Sequence, residues 1–390
     1  MRHLKVPNRS VEEYLTRLRD RDWLAPGMRV FAHDDGDHRL VPIDPSAPIQ
    51  MPPPFDSFEV ILHGGSHDKR ADTDWWNHLE MLVDEDDLKA FDEDWPSSHE
   101  FISDMMVVRV EENISKYSPQ IAKAKLLAHP HIRLVLNDNG VQGELRIRSL
   151  TPIGARIGTE IVTENIPESA KNTRVLVRES GRAIACDPNK AYFSTKLQSE
   201  RLETLSLAKV LRGLLQRPIN VCDPFCGVGP ALATLLTESD LIGNALASDL
   251  NPEAVRLLLD NLRRWDRRDY PASPSPISRV FEDRVVGIAN ATELAADEKL
   301  SGRWDLVLVN LPHRTIELLP DLVPLLDRTS PSMIRGRVVV SESEIGNANE
   351  QIKSALPKIL HGYPEPSLRI KRDYSSSLRL CSFEAWISPM

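Results

Sequence analysis

Cysteine is scarce: the chain has four in 390 residues, and Cys186, Cys222, Cys226 and Cys381 follow no regular spacing. This excludes a disulfide framework of the kind that staples small secreted domains. Long apolar runs are missing too. No stretch approaches the ~20 residues needed to cross a bilayer, and the opening MRHLKVPNRSVEEYL contains no apolar signal core. These absences lead to the expectation of a cytoplasmic protein without a membrane partner. Nor is positive charge in excess. The formal net charge is −9, which excludes a surface coated in basic residues and leaves nucleic-acid binding to local clusters. Two such clusters exist, Arg263, Arg264, Arg267 and Arg268, then Arg369, Lys371, Arg372 and Arg379. On charge alone they read as solvated helix and strand faces. No internal repeat is visible.

What is present is length and a change of pattern along it. A chain of 390 residues with 41% hydrophobic and 27% charged residues is a soluble globular protein of two or three domains. Residues 1–70 read as a small N-terminal domain, with a helix over Val11–Leu24 and strands at Arg29–Phe31 and Leu40–Ile43. Residues 71–99, with DEDD and DEDW, read as an acidic linker. Residues 100–187 read as an α+β domain: strands at Met105–Val110 and Ile132–Leu136, a helix between them, a turn at Asn137–Gly140, and a hairpin across Ser180-Gly181.

From residue 188 to 390 short apolar strands alternate with helical patterns. The strands are Ile219–Cys222, Ala245–Ser248, Val285–Ile288, Leu306–Val309 and Val338–Val340; the helices include Pro252–Trp265 and Thr315–Leu326. This alternation predicts an α/β fold with a doubly wound, mostly parallel sheet whose ligand crevice lies at the carboxyl ends of the strands. The residues just after each strand are therefore the informative ones.

After the first strand comes Asp223-Pro-Phe225-Cys-Gly227-Val-Gly229, where glycines let the backbone approach a ligand at a helix N-terminus. A dinucleotide fingerprint would place a third glycine where Leu232 stands, which disfavours nicotinamide and flavin chemistry. The second strand ends at Asp249, placed to accept hydrogen bonds from ribose hydroxyls, or to cap the helix that starts at Pro252. The third ends at Asn290, either an adenine contact or an ordinary turn residue. The fourth ends in Asn310-Leu-Pro312, a polar amide on a stiffened turn, as methyltransferases acting on planar nitrogens use against a base edge. The expected cofactor is S-adenosylmethionine, with no metal.

These motifs, in this order, resemble the archaeal and eukaryotic tRNA (guanine-37 N1)-methyltransferases, whose catalytic domain is a class I, Rossmann-like methyltransferase. DPFCGVGP resembles the family's DMFAGVGP, SDLNPEAVRLLLDN its IDINP helix and VLVNLPH its NLP loop. Upstream, Gly143–Arg148 resembles GEFRVR, Arg178–Gly181 resembles KENG, and Ala191–Arg201 resembles YFSPRL followed by ER. The resemblance implies methyl transfer to N1 of the guanine 3′ of the anticodon in tRNA by a monomeric enzyme. It implies Glu200 as the base for the N1 proton and Arg146 as the cation at O6. Asn310 and Pro312 would position the base, and Tyr192, Arg148 and Lys196 would lie on the substrate side. Asp223, Phe225, Gly227, Gly229, Asp249, Asn290 and Asn310 would meet the cofactor. Two positions depart from the pattern: Lys196 replaces an arginine and Asn290 an acidic residue. The chemistry is self-consistent, since neutral guanine N1 carries a proton that a base must take while a fixed cation offsets charge building at O6. The competing readings are a wybutosine-pathway transferase on tRNA, through aminocarboxypropyl transfer or methylation of a tricyclic guanine, and a catalytically inactive RNA-binding relative.

Overall fold

The computed structural model describes every residue except 67, 69–73, 144 and 146. The chain divides into two compact units, one of residues 1–98, 108–136 and 152–171 and the other of residues 99–107, 137–151 and 172–390.

In the first unit, a four-stranded antiparallel sheet runs in the order Phe31–Ala32, His38–Pro42, Arg2–Pro7, Val60–Leu62. Alternation in Arg2–Pro7 turns Leu4 and Val6 inward, where they meet Leu18 of the helix Val11–Arg19 and the ring of Phe55. That central strand was not legible in the sequence, because its two inward apolar residues are too few to register as a pattern. The helix is shorter than expected and stops at Arg19.

The stretch expected as an acidic linker, residues 71–99, is not one among its described residues. Helices Trp75–Glu80 and Glu85–Ala90 occupy this stretch, and Leu79, Val83, Leu88 and Trp95 are buried against Ile114, Tyr117 and Ile121. The acidic residues that suggested a linker lie on the outer face of a core whose apolar members recur at Trp75, Leu79 and Val83, one helical turn apart. Lys125 is fully buried there, its ammonium 2.8 Å from the Pro96 carbonyl and 3.5 Å above the Trp75 ring. Burial pulls its pKa down to about 7.

A second correction falls on Asn137–Gly140, which is not a turn but part of the strand Leu134–Gln142. The polar side chains that suggested a turn serve the ladder instead: Asn139 donates to the Ser149 carbonyl and to the Thr151 hydroxyl. The expected hairpin forms as Val175–Glu179 and Arg182–Cys186 around Ser180 and Gly181, both at positive φ. Residues 157–170 carry the short strand Glu160–Val162 and a 3₁₀ turn at Glu168–Ala170.

The second unit is built on an eight-stranded sheet. Its order is Ser278–Phe281, Arg284–Ile288, Ile242–Asp249, Ile219–Asp223, Leu306–Val309, Ser332–Ser341, Leu378–Ile387, Arg369–Asp373. The five strands from Arg284–Ile288 to Ser332–Ser341 are mutually parallel, and the three others run antiparallel at the edges. Strand Leu306–Val309 is buried on both faces, as a covered parallel sheet requires. At its amino end, fully buried Asp305 accepts two bonds from Arg217, at 2.7 and 2.8 Å, and one from the Asn220 amide. That anchors the end of the sheet opposite the site.

Candidate active site

The carboxyl ends of the parallel strands open into a cavity of about 400 Å³. Its floor is the turn after Ile219–Asp223. Gly227 and Gly229 take positive φ of 55° and 87°, a conformation that only glycine adopts without strain. A methyl group on Gly229 would lie 2.6 Å from the Leu258 side chain, so glycine is required there for packing as well. Leu232, where a dinucleotide fingerprint wants glycine, is buried inside the helix Pro230–Leu235.

Asp223 lies at the end of its strand with 1% of its surface exposed, and neither carboxylate oxygen reaches a hydrogen-bond partner of good geometry. Burial pushes its pKa up to about 7, against which the nearby Phe225 amide acts too weakly. Asp249 is better satisfied. Its two oxygens accept from the Gly227 and Asn251 amides at 2.8 and 2.9 Å, and burial raises its pKa. It is not the helix cap. Asn251 does that work, accepting from the Glu253 amide at 3.0 Å and donating to the Lys190 carbonyl at 2.7 Å. Asn290 does cap: its side chain accepts from the Thr292 amide and donates to Glu293. It also lines the cavity.

Across the cavity stand Asn310 and Pro312, then Tyr192, which is 44% exposed. The Pro312 carbonyl accepts from the Val339 amide at 2.9 Å, fixing the turn to the next strand. His313, one residue on, sits 3.0 Å from the Tyr374 hydroxyl. The wall therefore unites Tyr192, Asp223, Phe225, Gly227, Asp249, Asn290, Asn310 and Pro312.

The remaining expected residues are elsewhere. Gly229 lies beneath the turn, packed on Leu258 and Trp265. Arg148 is bound to Glu100 at 2.9 Å and Asp138 at 2.7 Å. Lys196 is exposed and off the wall. Arg146 lies outside the described residues. Glu200, in the first turn of the helix Gln198–Leu215, is buried but not on the wall. Its neighbours are Lys371 at 3.4 Å and Arg335 at 3.6 Å, and its Oε2 has no hydrogen-bond partner.

No family model matches the chain. A Pyrococcus abyssi protein described as tRNA (guanine(37)-N(1))-methyltransferase Trm5b is 28% identical over 233 residues, 60% of this chain and 57% of its own length. A tRNA (guanine(37)-N(1))-methyltransferase of Encephalitozoon cuniculi is 29% identical over 143 residues, 36% of this chain and 33% of its own length. The chain thus spans between a third and three-fifths of the length of these curated relatives. In fold the agreement runs end to end: the crystal structure of Trm5b from Pyrococcus abyssi superposes with a TM-score of 0.62 at 20% identity, over 100% of this chain and 99% of that one.

Over part of its length the chain is similar to tRNA (guanine-37-N1)-methyltransferases.

The sheet and the crevice it forms are those of a class I methyltransferase fold. Within that fold this chain carries wall residues that strand-end reasoning missed: Arg201, Arg337, Arg372 and Tyr374. Arg201 is spent on Glu179, at 2.5 and 2.6 Å, and on the Ser194 carbonyl. Arg372 and Tyr374 come from the strand Arg369–Asp373 and the turn after it, in a basic cluster that looked like a solvated face. Two of its members are just that kind of charge, since Arg369 pairs with Glu384 and Glu203, and Arg379 with Glu342 and Asp373. Arg337 could have been noticed as a charge within the apolar strand SMIRGRVVVS, where a buried cation calls for a partner.

Proposed function

We propose that this chain transfers a methyl group from S-adenosylmethionine to N1 of guanine 37, the base 3′ of the anticodon, in tRNA. The observation that carries the reading is the meeting of Asp223, Asp249, Asn310, Pro312 and Tyr192 on one cavity wall. The descriptions of the Pyrococcus abyssi and Encephalitozoon cuniculi relatives agree with it.

The residues present fit the cofactor. A cavity of about 400 Å³ suits a ligand of this class. Each Asp249 oxygen, already accepting one amide, keeps a lone pair for a ribose hydroxyl. The unpartnered oxygens of Asp223 suit an α-ammonium group. When bound, S-adenosylmethionine supplies an electrophilic methyl on sulfur.

The chain's own side chains do the rest. Asn310, whose side chain makes no hydrogen bond to a described residue, offers its amide to the guanine edge, and Pro312 holds that amide in place. Tyr192 presents a ring face on which an extruded base stacks. Glu200, behind that wall beside Lys371 and Arg335, is assigned the N1 proton, with the Oε2 that makes no hydrogen bond as the acceptor. Arg146 is assigned to O6, and Arg372, whose Nε is buried without a partner, adds positive potential at the same wall. Holding N1 in line with the methyl supplies the proximity term. In this reading the enzyme is a cytoplasmic monomer whose residues 1–70 contact tRNA away from the anticodon loop; residues 100–187, divided between the two compact units, are not a domain of their own.

The test is incubation of an unmodified tRNA transcript with cofactor labelled either on the methyl or on the aminocarboxypropyl group. Transfer of methyl label alone is expected. Transfer of the aminocarboxypropyl label, or of neither, would refute the proposal.

A further inference from the structure

Most of the basic residues at and behind the cavity are neutralised by carboxylates; among the described ones, Arg337 and Arg372 are not. Arg201 pairs with Glu179 at 2.5 Å, and Arg335 with Glu203 at 2.7 Å and Glu384 at 3.2 Å. Lys371 pairs with Glu203 at 2.6 Å, and Arg369 with Glu384 at 2.5 Å. Arg337, two residues after Arg335 on the same strand and so on the same face, makes no hydrogen bond or ion pair with any described residue. It nevertheless lines the cavity. Gly336 between the two arginines leaves room for Phe383, whose ring would meet an added methyl group at 2.5 Å. Aromatic packing thus fills the opposite face of the strand and leaves no polar group there for Arg337 to use. Burial, together with repulsion from Arg201, lowers the Arg337 pKa to about 10.

The same wall holds the reverse case, Asp223, a buried acid with two unpartnered oxygens. The two side chains attract one another across the cavity but form no ion pair. A partly buried cation and a buried anion facing one cavity without touching are complementary to a ligand that carries both charges a few ångströms apart. An α-amino acid is such a ligand. Leaving both charges unpaired is costly, and a zwitterion resolves both at once through charge-assisted hydrogen bonds.

We infer that Arg337 and Asp223 together form the receptor for the amino-acid end of the methyl donor, with the Arg337 guanidinium on its α-carboxylate and Asp223 on its α-ammonium. This rests on the proposed use of S-adenosylmethionine and assigns Arg337 to the cofactor rather than to RNA. Arg337 is then a specificity residue: it makes the site prefer ligands that keep the carboxylate over those that end at the sulfur.

Calorimetry on the full chain with two probes tests this. S-adenosylhomocysteine keeps the amino-acid end, and 5′-methylthioadenosine lacks it. The unaltered chain should prefer S-adenosylhomocysteine by at least ~10-fold, the scale of a charge-assisted pair. In Arg337→Met the preference should shrink to ~3-fold or less while methylthioadenosine affinity holds, which also reports an intact fold; Arg337→Lys should keep an intermediate preference. Survival of the full preference in Arg337→Met would overturn the assignment. If that survival came with a loss of methyl transfer to tRNA, the guanidinium would belong to an RNA oxygen instead. Failure of the unaltered chain to bind either probe would sink the cofactor reading itself, an outcome distinct from failure of the Arg337 assignment alone.

Discussion

Replacing Asp223 by asparagine should stabilise the ligand-free protein and weaken its hold on the cofactor, and the first effect should grow with pH. Asp223 is 1% exposed with both oxygens unpartnered, and burial raises its pKa from 3.8 to about 7. Between those two values the folded state keeps a proton that the unfolded chain has released. Stability is therefore lost as pH rises through that window, and the whole penalty is present above it. A rise of about 3 pKa units corresponds to at most about 4 kcal/mol. Asparagine has nearly the same shape and cannot ionise, so Asp223→Asn should gain nothing near pH ~4 and up to ~4 kcal/mol near pH ~8. Urea unfolding of parent and variant at those two pH values reads the difference directly. The same variant should bind S-adenosylhomocysteine ~10- to 100-fold more weakly, because a neutral amide replaces a charge-assisted acceptor. A stability difference that does not change with pH, or a variant less stable than the parent near pH ~8, would refute the claim that this carboxylate is held at a cost for a ligand.

Glu200→Ala and Asn310→Ala should each lower single-turnover methyl transfer by at least ~100-fold, the scale of a general base or key positioning group, with cofactor affinity within a few-fold of normal; near-normal rates in both would remove the mechanism. Glu179→Ala strands the buried Arg201 guanidinium, and thermal or chemical unfolding should show a loss of ~3–5 kcal/mol; a loss under ~1 kcal/mol would mean that Arg201 finds another partner. Gly229→Ala forces positive φ on alanine and drives a methyl into Leu258, so the unfolding transition should fall by ~2–4 kcal/mol; an unchanged transition would show that the turn relaxes freely.

The legible part of the fold was the part with strong periodicity. All five parallel strands stood out because buried strands read as continuous apolar runs with polar residues at their ends, and those ends supplied seven of the wall residues now seen, Tyr192 coming from the family resemblance. What escaped was set by tertiary contact. Trp75, Leu79 and Val83 form a core stripe in a segment whose acidic residues dominate its composition. Asn139 looks like a turn residue until its cross-strand bonds to Ser149 and Thr151 are seen. Arg337 sits within the fifth parallel strand rather than after its end, and Arg372 on the antiparallel edge strand, so the rule for parallel strand ends reaches neither. Sequence spacing could not tell the spent cations, Arg148 and Arg201, from the unspent Arg337 and Arg372, since the partners of the first two lie up to 48 residues away along the chain.

The central claim is that one nitrogen of one base is methylated. It is met most directly by nucleoside mass mapping of a single tRNA transcript after incubation with the protein and S-adenosylmethionine, beside a transcript in which guanine 37 is replaced by adenine. The account predicts 1-methylguanosine at position 37 of the first transcript and no methylated nucleoside in the second. Methylation at another guanine atom, at another position, or in both transcripts alike would contradict it.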